Sequence, residues 1–113
     1  MLTVYGIKQC DTCRKALKWL TVQGIEHHFH DFRVDGLQPE TLAQWLASPF
    51  AALLVNRRST TWRQLSDMQR QSTGDALLAL LLEHPTLIKR PVFVADQVIA
   101  VGFKPDELEG LLI

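Results

Sequence analysis

Cys10 and Cys13 are the only cysteines of the chain, and they stand as C-x-x-C within YGIKQCDTCRKAL, Tyr5 to Leu17. Three chemistries use that spacing: a dithiol that cycles with its disulfide, half of a zinc site, or a nucleophilic thiol with a resolving thiol one turn away. Structural zinc takes four ligands. Here His27, His28 and His30 would have to complete the set. They lack the paired spacing of zinc motifs, so no metal site is expected. Two inert buried thiols are the plain alternative, since free cysteine packs as a small hydrophobe. The surroundings favour a reactive first cysteine. A strand-like run precedes the motif and a helix-like run follows it. Cys10 then falls at a helix N-terminus, where free N–H groups and the helix dipole favour a thiolate. Lys8 and Arg14 add positive charge nearby, and Cys13 is placed to resolve a mixed disulfide at Cys10.

The elements that must hold this turn can be read from periodicity. Leu2–Ile7 is rich in β-branched and aromatic residues and reads as a strand. A helix follows, with Ala16, Leu17, Trp19 and Leu20 at helical spacing and Gly24 as its stop. Asp11 and Thr12 are expected to cap it. Ile25–Phe32 reads as a second strand, which completes a βαβ unit with parallel strands. Pro39 opens another helix, with Leu42, Trp45 and Leu46 on one face. A less regular stretch runs from Ser48 to Gln71. An apolar helix then extends from about Gly74 to His84, with Ser72 or Thr73 as cap and Pro85 as stop. Val92–Ala95 and Val98–Gly102 flank Asp96-Gln97 as a hairpin, and Pro105 starts a last short helix. The expected class is α/β, in the order βαβ, helical block, ββα. The helical block reads as an insertion in one domain of 113 residues.

Composition excludes several functions. Twelve Lys and Arg balance twelve Asp and Glu, so the net basic face that phosphate neutralisation requires is missing and no direct nucleic-acid contact is expected. The longest apolar run, Ala76 to Leu82, is far short of the ~20 residues that span a bilayer. No secretory leader is visible at the N-terminus, and the expected location is the cytoplasm. In that reducing setting a C-x-x-C points to redox chemistry before a structural disulfide.

YGIKQCDTCRKA, FHDFRVDGL, STTWRQL, LIKRPVFV and GFKPDEL together resemble the arsenate reductase-like (ArsC/Spx/YffB) branch of the thioredoxin-fold superfamily, and most closely its YffB-like group. The resemblance covers nearly the whole chain. It implies a thioredoxin-like core over 1–33 and 86–113, a mixed sheet, and a helical insertion over 34–85. It also implies a cis Pro91 facing the cysteine turn. In such enzymes a cysteine attacks an oxyanion that arginines bind. By resemblance Cys10 is that nucleophile, and Arg14, Arg90 and one of Arg57 and Arg58 bind anions. Lys104 stands where a further arginine is expected, which keeps the charge but loses the bidentate fork. Gly6 stands where arsenate reductases place a histidine.

The function implied is therefore a thiol-dependent reductase. No cofactor is bound; glutathione is the expected co-substrate, and glutathione or glutaredoxin the expected partner. Arsenate reduction is one alternative. The other is an Spx-like redox switch that binds the RNA polymerase α subunit. The remaining cations and rings have plainer expectations. Arg63 and Arg70 read as a solvated face, the strand histidines as solvated or hydrogen-bonded groups, and Trp19, Trp45 and Trp62 as packing residues.

Overall fold

A computed structural model describes residues 1–113. The chain forms two compact units, one of Met1–Gly36 with Arg90–Ile113 and one of Leu37–Lys89. These boundaries fall slightly later in the chain than 33 and 85.

The first unit holds a four-stranded mixed sheet. Strand β1 (Leu2–Gly6) leads through helix α1 (Asp11–Val22) to β2 (His27–Asp31). After the second unit come β3 (Val92–Ala95), β4 (Gln97–Val101) and a terminal helix over Pro105–Leu112. The sheet order is β2-β1-β3-β4. β1 runs parallel to β2, with Leu2 opposite His27 and Gly6 opposite Asp31. It runs antiparallel to β3, which is in turn antiparallel to β4. This is the expected thioredoxin-like α/β arrangement. The parallel pair exists because α1 carries the chain back across the sheet.

One core holds these elements. Leu2 and Val4 alternate inward from β1, and Ala16 and Leu20 face them from α1 at i, i+4 spacing. Phe93, Ala100 and Leu108 complete the cluster. Phe93, Leu20 and Leu108 are fully buried, and each such side chain contributes about 1.5–3 kcal/mol relative to exposure. Trp19 lies edge-on to Phe103 with centroids 6.2 Å apart, a packing role as expected.

Several boundaries differ from the sequence reading. β1 stops at Gly6 because Ile7 begins the cysteine turn. β2 starts only at His27, because the Ile25 N–H closes the end of α1 on the Leu20 carbonyl. The hairpin turn is Asp96 alone, at φ 63°, and Gln97 already pairs with Ala95. Neither Asp11 nor Thr12 caps α1, because the N-cap position belongs to Cys10.

The second unit is helical. It contains α2 (Pro39–Leu46), α3 (Thr60–Gln64), α4 (Asp67–Arg70) and α5 (Gly74–Glu83), which makes the terminal helix α6. Leu42, Trp45, Leu54, Leu65, Leu80, Leu81, Leu87 and Ile88 are its buried apolar residues. The irregular Ser48–Gln71 stretch resolves into a 3₁₀ turn and two short helices. Ser59 Oγ accepts the Trp62 N–H at 3.1 Å, and Ser66 forms a reciprocal capping box with Gln69. Thr73 is the N-cap of α5, but its side chain makes no capping bond. Arg70 is not simply solvated. Its guanidinium donates to the Trp62 and Arg63 carbonyls at 3.2 and 2.8 Å and lies over the Trp62 ring.

Candidate active site at the Cys10–Cys13 turn

Four residues, Ile7 to Cys10, join β1 to α1, and nearly every backbone group of this turn has a partner. The Cys10 N–H donates to the Ile7 carbonyl at 3.0 Å. The Lys8 N–H donates to Asp31 Oδ2 at 2.9 Å. The Lys8 and Gln9 carbonyls accept from Arg14 Nε and Nη2, each at 3.2 Å, and the Cys10 carbonyl accepts from the Arg14 N–H. The Ile7 N–H lies near the Cys13 sulfur. A turn with its donors and acceptors satisfied stays in one conformation, and this one fixes where Cys10 stands.

Cys10 is partly exposed and Cys13 is fully buried. Burial alone would raise the Cys10 pKa. The Cys13 N–H, the Cys13 thiol and the Arg90 side chain all donate toward its sulfur, and the Arg90 charge adds to them. The net result is a Cys10 thiol that ionises more readily than usual. Cys13 moves the other way. Burial is the main cause, the Ile7 N–H opposes it, and the neighbouring Cys10 sulfur reinforces it, pushing the Cys13 thiol up to about 11. The two thiols thus differ: Cys10 gives up its proton more readily than an ordinary thiol and Cys13 less readily.

Gly6 supplies room for this pair. It lies in β1 and does not have a positive φ, so its backbone would suit any L-residue. A Cβ at position 6 would sit 2.5 Å from Cys13 Sγ, far inside van der Waals contact. A histidine at this position is therefore sterically incompatible with Cys13 as it stands.

The peptide bond before Pro91 is cis, and the Pro91 carbonyl accepts the Gly102 N–H at 2.8 Å. Arg90, two residues before β3, lies near the Cys10 sulfur. Arg14 plays a different part. Its guanidinium holds the Lys8 and Gln9 carbonyls and lies 3.5 Å from Asp11, so it braces the turn. Lys104 is the N-cap residue of α6, with its ammonium 3.8 Å from Glu107. Arg57 and Arg58 belong to the second unit. Arg57 lies 5.7 Å from the Trp62 centroid and lines a cavity of about 550 Å³ with Leu46, Val55, Asp75 and Leu77. The Arg58 N–H donates to Asn56 Oδ1 at 3.1 Å.

Asp31 was missed in the sequence reading. It is the one buried carboxylate, 7% exposed, at the end of β2. It accepts the Lys8 N–H and, at 2.7 Å, the Arg33 N–H. Burial raises its pKa, but the N–H groups of Lys8, Arg33 and Val34 and the Arg33 charge outweigh this and lower it. Asp31 also lines a cavity of about 260 Å³ beside the turn, with Ile7, Lys8, Gln9, Arg33 and Val34. The available signal was an acidic residue ending an otherwise mixed strand, HHFHD. The histidines of that strand make local contacts: His27 Nδ1 lies 2.8 Å from the Ile25 carbonyl, and His30 Nε2 lies 2.6 Å from that of Gly36. No group of three His, Cys, Asp or Glu side chains converges as a metal site would require. No helix is long and apolar enough to cross a membrane.

Comparison with known proteins extends this picture. The ArsC family model matches residues 5–111. An uncharacterised protein of Haemophilus influenzae is 48% identical across 97% of each chain. The global transcriptional regulator Spx of Streptococcus agalactiae is 29% identical, covering 99% of this chain and 83% of its own length. A solved structure of a YffB protein superposes with a TM-score of 0.90 and 36% identity, covering 100% of both chains.

Proposed function

The chain belongs to the ArsC family, and on that premise we propose that it is a glutathione-dependent thiol reductase with Cys10 as its nucleophile. One observation carries this reading: Cys10 stands at the N-cap of α1, where Cys13 and Arg90 beside it make its thiol ionise more readily than usual. The thiolate is the nucleophile in disulfide exchange. It attacks one sulfur of a substrate disulfide, the S–S bond breaks, and the electron pair leaves on the departing thiolate. The product is a mixed disulfide at Cys10. Either Cys13 or glutathione then resolves it. Cys13 first gives up its proton to solvent or to the departing thiolate, attacks Cys10 Sγ and releases the second substrate thiol. Two glutathione thiols reduce the resulting disulfide and leave as glutathione disulfide.

In this proposal Arg90 holds an anionic group of the substrate, such as a glutathione carboxylate, and Lys104 adds a second cation. Arg14 contributes by keeping the turn in place. The reducing thiol pool of the cytoplasm is the setting that suits the cycle. Arsenate reduction is the weaker reading, because Gly6 removes the histidine that helps the thiol ionise in those enzymes, and Cys13 occupies its space. The likeness to Spx over 99% of the chain supports a second reading, a redox switch that contacts RNA polymerase. A pull-down of the polymerase that depends on the oxidation state of Cys10 and Cys13 would favour it.

The test of the reductase is turnover of a glutathione mixed disulfide, alongside the pH dependence of Cys10 alkylation. Turnover and an alkylation midpoint below the ordinary thiol value of about 8.5 are expected. A midpoint at that value with no turnover overturns the proposal.

A further inference from the structure

Gly6 sits opposite the second thiol with no conformational reason to be glycine. Its φ is not positive, and β1 continues regularly through it to pair with Asp31 of β2. What it provides is space. The nearest atom to a Cβ built there is Cys13 Sγ at 2.5 Å; next come Cys13 Cβ and Phe29 Cε1, both at 3.5 Å. The last two are ordinary contacts, so the sulfur alone forbids a side chain. Nor can that sulfur readily move aside. Cys13 is fully buried, with the Ile7 N–H and the Cys10 sulfur beside it.

We infer that Gly6 is the specificity-determining residue of the Cys10 site. It leaves the space that the Cys13 sulfur fills beside Cys10, and so selects internal resolution of a Cys10 mixed disulfide over resolution by an external thiol. The inference rests on the thiol-exchange reading and adds to it which thiol acts second. Internal closure forms the Cys10–Cys13 bond and breaks the bond between Cys10 and the bound thiol, whose sulfur leaves with the electron pair. A side chain at position 6 pushes Cys13 Sγ away from that line of attack. Cys10 keeps its place at the start of α1, so the first step survives and the second is slowed. Resolution then falls to a second molecule of glutathione.

The experiment treats the full chain with glutathione disulfide and follows intact mass over time, for the wild type and Gly6→Ala. The wild type should pass quickly to the internal disulfide. Gly6→Ala should accumulate the glutathione adduct, with closure slowed at least about tenfold, because thiol exchange requires a defined approach of the attacking sulfur. Closure at the wild-type rate in Gly6→Ala overturns the inference. A wild type that forms neither species refutes the thiol-exchange reading itself. A thermal cycle then judges Gly6 separately. Gly6→Ala should lower the Tm when Cys13 is present and leave it nearly unchanged in the Cys13→Ala background. Equal losses in both backgrounds overturn the inference. If Gly6→Ala does not fold, recovery of a cooperative transition in Gly6→Ala/Cys13→Ala supports the inference, and failure to recover it counts against it.

Discussion

Two helices of this chain begin in the same way and to different ends. At α3, Ser59 is the N-cap and its hydroxyl accepts the N–H three residues on, from Trp62. At α1, Cys10 is the N-cap but its side chain makes no capping hydrogen bond; the Cys13 N–H and thiol and Arg90 instead lower the pKa of its sulfur. The backbone offers the same donor in both places. Serine meets it with an oxygen that stays neutral, and the return is helix stability. Cysteine places there an atom that can ionise, and its thiol loses its proton more readily than usual. The difference extends to what surrounds each cap. Around Ser59 the cations are occupied with packing: Arg57 and Arg70 flank the Trp62 ring. Around Cys10 a cation, Arg90, lies near the sulfur and lowers its pKa, and a carboxylate, Asp31, holds the loop behind it.

Substitutions can break this contrast, and the largest effect falls at the thiol. Cys10→Ser should abolish mixed-disulfide turnover, by roughly three orders of magnitude or more, while its Tm holds or rises slightly, because serine is the better cap. A clear loss of Tm would show that the sulfur is structural. Asp31→Ala comes next. It leaves the N–H groups of Lys8 and Arg33 without their acceptor and should cost about 2–3 kcal/mol in denaturant unfolding. Because the folded pKa of Asp31 is depressed, its contribution is present above the unfolded carboxylate value of about 3.9 and is lost as pH falls through the lower folded value. The acid limb of the stability curve should therefore flatten in Asp31→Ala. Arg90→Gln should raise the Cys10 alkylation midpoint and slow alkylation at neutral pH several-fold. The smallest effect is at the other cap. Ser59→Ala should lower stability by about 1 kcal/mol and leave the Cys10 midpoint where it is; a shifted midpoint would mean that the two helix starts are coupled.

What could be read from the sequence follows the range of each interaction. The βαβ order, the helices opened by Pro39 and Pro105, and Cys10 at a helix start depend on residues within a turn or two of one another. The sequence displays these directly. Pro91 was reached through family likeness, and local residues would not have assigned its cis bond. Asp31 was invisible because its partner, the Lys8 N–H, is 23 residues away, and a backbone donor leaves no mark on residue type. Gly6 was noticed only as a missing histidine. Its meaning needed the position of Cys13 Sγ, a distance that no spacing rule supplies. The Ser66–Gln69 capping box carried a readable signature and went unread among the basic residues of its stretch.

The gap at Gly6 also bears on how such a site can arise by mutation. A thiol at position 13 and a side chain at position 6 compete for the same few cubic ångströms. A lineage that reaches this dithiol one substitution at a time meets an obstacle if the cysteine comes first and none if the glycine does. Glycine at 6 is then the permissive step. Once Cys13 is in place, the change at position 6 is locked against reversal, even though the residue it protects lies in another element of the fold.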